Sequence, residues 1–160
     1  MKTHQSTHRV AHSAEQMFAL VADVEKYPEF MPLCKNLKLV SRGQENGNEI
    51  LVADMTVAYK LFHEKFTSRV TLDQKAHQIL VEYIDGPFKH LENKWKFNPA
   101  GEGACDVEFH IAYEFGSLPM QLMMGAMFDQ AFGKFSEAFE ERADVVYGKS
   151  KDTPPAVETT

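Results

Sequence analysis

His63, Glu64, His90 and His110 are the side chains whose types and positions could pass a proton to or from a bound molecule. His90 and His110 fall on the polar faces of alternating stretches, turned away from any core. Glu64 shares a side with Phe62, Phe66, Ser68, Val70 and Leu72, where a carboxylate marks a strand edge, a bend or a partnered buried group. The edge or bend is expected. No Ser/His/Asp arrangement assembles around these four, so the chain reads as a non-enzyme with no catalytic residue. His4, His8 and His12 recur at every fourth position, which on a helix would present a metal face. Residues 3–10 alternate as a strand does, however, and Ser13 caps the helix that follows, so no metal site is expected. Cys34 and Cys105 stand far apart in no ligand or redox spacing, as expected for reduced thiols in a cytoplasmic protein.

The 160 residues suit one domain over 1–148, followed by a polar, proline-bearing tail, 149–160, that reads as disordered. A net charge of −6 disfavours a phosphate-binding surface, so direct nucleic-acid binding is not expected. Neither a signal-peptide core nor an apolar run long enough to span a bilayer is visible, which again predicts a cytoplasmic chain.

The elements that would position these groups follow from periodicity. Ser13-Ala14-Glu15-Gln16 is a capping box opening a short helix, and Asp23 caps a second turn that Pro28 ends. Tyr27 to Cys34 is an aromatic, proline-rich connection, readable as rigid packing or as a gate beside a cavity. Asn46-Gly47 marks a hairpin, and strands continue to Phe115. In the last of them Cys105, Val107, Phe109, Ile111, Tyr113 and Phe115 face one way, and Asp106, Glu108, His110 and Glu114 the other.

Ser117 to Gly148 then predicts one helix of roughly eight turns, about 45 Å long. Ser117 serves as N-cap, Pro119 sits in the first turn and Gly148 at the end. Its apolar arc comprises Met120, Met124, Met127, Phe128, Ala131, Phe132, Phe135, Phe139 and Val146, with Asp129, Glu137, Glu140 and Asp144 opposite. Arg142 interrupts the arc, either snorkelling or pairing with an acid. A sheet apolar on one side needs a cover, and only this helix is long enough. Space left between them would be an elongated apolar cavity, although pattern alone does not separate a filled core from a hollow one.

Two stretches carry a resemblance. Tyr27-Pro28-Glu29-Phe30-Met31-Pro32-Leu33-Cys34 and Asp85-Gly86-Pro87-Phe88-Lys89-His90-Leu91, the latter continued by Trp95-Lys96-Phe97, resemble motifs of the coenzyme Q-binding START-domain family. That family is grouped with ribosome-association toxin A in the START and polyketide-cyclase superfamily. Phe66-Thr67-Ser68-Arg69-Val70 is similar to a third segment, and Asn93 stands where many relatives have Gly, a departure expected to alter strand geometry. The resemblance implies an α+β helix-grip fold: a curved antiparallel sheet of about seven strands around a long C-terminal helix, with two short helices after strand one. It further implies a hydrophobic tunnel for ubiquinone or a similar isoprenoid lipid, held as ligand rather than cofactor, in a carrier or chaperone supporting respiratory electron transport.

Pro32, Val57, Phe66, Phe88, Leu91 and Trp95 carry over as tunnel positions. Phe109 and Ile111 join them from the last strand, and Met124, Met127 and Phe128 from the helix arc. The Met-rich turn 120–127 would be a lid opening on transient contact with a membrane, placing the protein at the inner face at least part of the time. Aspartates at Met124 and Met127 should then abolish loading and spare the fold. The alternatives are a toxin-like inhibitor that binds a ribosomal subunit and blocks subunit joining, and a polyketide cyclase-type enzyme.

Overall fold

The Ser13 hydroxyl accepts from the Gln16 N–H at 3.1 Å and the Gln16 side chain accepts from the Ser13 N–H at 3.0 Å, so the capping box forms as its sequence requires. It opens α1 (Ala14–Ala22), which follows β1 (Lys2–Val10) and leads into a 3₁₀ segment, Val24–Glu29. Six strands come next: β2 (Cys34–Glu45), β3 (Asn48–Tyr59), β4 (Phe62–Asp73), β5 (Gln78–Asp85), β6 (Phe88–Pro99) and β7 (Cys105–Phe115). Helix α2 (Leu118–Tyr147) closes the fold, capped by Ser117 and ending at Gly148 with φ +79°. The computed structural model describes residues 1–59 and 62–148, with Phe62 by its backbone alone. The tail expected to be disordered, 149–160, lies outside the described residues.

The strands form one antiparallel sheet in the order β1-β7-β6-β5-β4-β3-β2. Short turns make β2 to β7 a meander, and β1 pairs with β7 (Lys2↔Tyr113 to Val10↔Cys105). Helix α1 and the 3₁₀ segment therefore carry the chain from one edge strand to the other. Pairing of β4 with β5 begins only at Thr67↔Asp85. Glu64 consequently sits where β4 has β3 alone beside it, the edge position expected of a carboxylate on that side.

Helix α2 lies across the apolar face, burying Met124, Phe128, Ala131, Phe132, Phe135, Phe139 and Ala143. Val146, expected in this arc, is 49% exposed in the last turn of α2, beyond Ala143, the last residue that the helix buries. Three of the four acids on the opposite side meet partners on other elements. Asp129 accepts from Lys2 at 3.4 Å and from the Tyr113 hydroxyl at 2.6 Å, while His8 meets Glu140 at 2.8 Å and His12 meets Asp144 at 2.7 Å. The fourfold histidine spacing thus belongs to a seam between the amino-terminal segment and α2, with His4 edge-on to Phe109 at 6.1 Å.

Candidate functional site: an apolar cavity under the long helix

Two turns shape the space between sheet and helix. Gly86 has φ +144°, and a Cβ there would stand 2.5 Å from Phe66 Cβ, so only glycine lets the β5–β6 turn pack on β4. The close approach sets the Phe66 and Phe88 rings edge-to-face at 5.6 Å, and Phe88 stacks on Phe115 at 5.0 Å. At the other turn, the Tyr27 hydroxyl donates to the Val21 carbonyl. Tyr27 and Phe30 both meet Phe139 edge-on, at 5.3 and 5.0 Å. Arg142, left open between snorkelling and pairing, binds Glu29 at 2.6 Å with its guanidinium 5.2 Å from the Phe30 ring. Leu33 adopts φ +68°, a conformation that costs a branched side chain free energy and is held here by its surroundings.

Between these turns lies a cavity of about 100 Å³. It follows α2 from Phe128 to Phe139, a rise of ~16 Å. Pro32, Val57, Phe66, Phe88, Leu91, Trp95, Ile111 and Phe128 line it, as do Phe132, Phe135 and Phe139 from the same helix face. Three expected positions do not. Phe109 is held behind the wall by Trp95 and Phe135, with ring centres 4.7 and 6.2 Å away. Met124 is buried a turn before the cavity begins, and Met127 is half-buried at its margin. Met31, Leu33 and Cys34 also border the space, so the Tyr27–Cys34 connection is a wall of the cavity. A connecting segment has no periodicity to show which way it faces, so the sequence does not mark these residues as wall.

The lining is neutral. Among the described residues it includes no Asp, Glu, His, Lys or Arg; its titratable members are Tyr27 and Cys34. Burial pushes both up, the Cys34 thiol to about 11 and the Tyr27 hydroxyl further above its ordinary range. His63, Glu64, His90 and His110 all lie outside the lining, with His110 on the opposite face beside Gln5 and Lys94. Such a chamber can exclude water and hold an apolar molecule, with hydrogen bonds available only to neutral groups.

Asn93 departs from its expectation. Its pairing with Val81 and Ile111 is regular, so strand geometry is undisturbed; the register shift in β6 lies between Phe88 and His90. The side chain instead satisfies a buried donor. Its Oδ1 accepts from Trp95 Nε1–H at 2.9 Å while its Nδ2 donates to the His110 carbonyl at 2.9 Å.

The fold is that of the ZhuI aromatase/cyclase from Streptomyces sp. R1128, with a TM-score of 0.79 over 93% of this chain and 99% of that one, at 17% identity. In sequence the chain is 36% identical over 138 residues to the ribosome association toxin RatA of Escherichia coli (strain K12), covering 86% of this chain and 84% of that protein. It is also 32% identical over 143 residues to coenzyme Q-binding protein COQ10 homolog B, mitochondrial, of Xenopus laevis, covering 87% of this chain and 57% of that one. Residues 10–140 match the family model for polyketide cyclase / dehydrase and lipid transport, and it is to this START-like family, with its helix-grip fold, that the chain belongs.

Proposed function

We propose that this protein binds ubiquinone or a similar isoprenoid lipid in the cavity under α2, and acts as its carrier or chaperone in support of respiratory electron transport. One observation carries the reading: the chamber is apolar, aromatic-walled and free of charged lining residues among those described. A molecule suited to it is hydrophobic and uncharged, since desolvation disfavours ionised carboxylate and phosphate heads in its interior. The same lining offers no general acid or base with an ordinary pKa near neutrality, which favours carriage over catalysis.

At about 100 Å³ the chamber is smaller than the ~300–1,000 Å³ of typical small-molecule sites, so loading must widen it. Met31 and Met55 in the lining are flexible enough to give way. Mass spectrometry of the organic extract from natively purified protein tests the reading, together with binding of added ubiquinone. A stoichiometric quinone or saturable binding supports it; an empty extract with no binding overturns it.

The 36% identity to RatA favours a second reading, association with a ribosomal subunit. With a net charge of −6, basic ribosomal proteins are better suited as contacts than RNA phosphates. Co-sedimentation with subunits that fades at modest salt supports this reading, and absence from ribosomal fractions counts against it.

A further inference from the structure

The cavity has a polar spot on its sheet side. Ser68 of β4 faces inward between Phe66 and Val70, is 6% exposed and lines the chamber. Among the described residues its hydroxyl finds no hydrogen-bond partner. A buried hydroxyl is rarely left unpaired, and one opening onto a chamber is free to bind what enters. The surroundings decide what that is. Ser68 pairs with Ala53 on one side and Tyr83 on the other, and neither places a charge in the chamber. Across β5 stands Asn93, whose Oδ1 accepts from Trp95 and one of whose amide N–H groups is held by the His110 carbonyl. A neutral hydroxyl with no partner of its own, in an uncharged, aromatic-walled space, suits an uncharged acceptor on a flat head, which is to say a carbonyl oxygen on a ring.

We infer that the Ser68 hydroxyl anchors a carbonyl oxygen of the bound molecule. The head then lies against the sheet over Val81 and the hydrocarbon tail runs along Phe132, Phe135 and Phe139. This rests on the lipid-binding reading but goes further, because it makes the site selective for carbonyl-headed lipids over plain hydrocarbons.

Decylubiquinone and decylbenzene separate the two claims. The chain's single tryptophan, Trp95, lines the cavity and reports quinone binding by quenching, and decylbenzene is measured by competition. The native protein is expected to hold decylubiquinone several-fold to about tenfold more tightly than decylbenzene, the size of one good hydrogen bond. Ser68→Ala should lower decylubiquinone affinity several-fold to about tenfold with decylbenzene affinity unchanged, and Ser68→Thr, which keeps the hydroxyl, should restore it. If both probes bind the native protein equally, or Ser68→Ala keeps the full preference, the anchor is wrong and the lipid reading stands. If neither probe binds, both fall.

Discussion

Arg142, near the end of α2, reaches Glu29 at 2.6 Å and lies over the Phe30 ring. The contact ties the Tyr27–Cys34 wall of the cavity to the helix that roofs it. Glu29 is half exposed, so the pair contributes less than about 1 kcal/mol to stability. Its role is better read as a latch. Glu29→Gln should leave the urea midpoint nearly unchanged and speed quinone uptake and release several-fold, measured by stopped-flow quenching of Trp95. Unaltered rates would place the entrance elsewhere.

Gly86 gives a sharper stability test. Gly86→Ala forces a Cβ into Phe66 at a positive φ, and should cost more than about 2 kcal/mol in urea denaturation. Gly101→Ala, also at positive φ (+84°) but with nothing within 4 Å, should cost about 1 kcal/mol. Similar losses for the two would remove the argument that close packing fixes this glycine.

What could be read from sequence divides along the same line. Strong alternation in β7 and the capped, phenylalanine-rich α2 announced the sheet and its cover, because burial on one face leaves a period in the chain. Positions set by a contact with a second element left no such trace. Nothing local marks that Phe109 is blocked by Trp95 while Ile111 two residues on reaches the cavity, or that His12 is buried against Asp144. Asn93 was visible as an oddity, but its role depends on an indole two residues away and a carbonyl on β7.

The two thiols predict an alkaline weakness. Burial raises Cys34 and Cys105 from 9.0 to about 11. The folded state therefore holds these protons more tightly than the unfolded one. The stability this gives is complete below pH 9 and is lost as pH rises through 11. Urea midpoints should fall across that window, and fall less in a Cys34→Ala, Cys105→Ala double variant. Tyr27 and Tyr113, also raised, continue the loss above pH 10 in both proteins. Since Cys34 lines the cavity and Cys105 does not, a bound quinone should protect Cys34 alone from an uncharged thiol reagent. Equal protection of both would point to general stabilisation instead.

The first turns of α2 expose what the rest of the helix hides. Leu118, Leu122 and Met123 are 69, 78 and 72% exposed, directly before the buried Met124 and the cavity-lining Phe128. Among the described residues no helix is long and apolar enough to cross a membrane. Aspartates at Met124 and Met127, expected from sequence to spare the fold, are the wrong test, because Met124 is 4% exposed and a carboxylate there enters the core. Leu122→Asp with Met123→Asp probes the same turn from outside. Inserting a leucine or methionine into an apolar phase is worth roughly 1.5–3 kcal/mol, so the double change should weaken co-flotation with phosphatidylcholine–phosphatidylglycerol vesicles tenfold or more. Thermal stability should stay put, since neither side chain packs on the core. Quinone transfer between vesicles should slow in proportion, whereas binding of decylubiquinone from solution should not change. Transfer at the native rate by a variant that no longer floats would separate the exposed turn from delivery, and leave the Glu29–Arg142 side as the place to look for the opening.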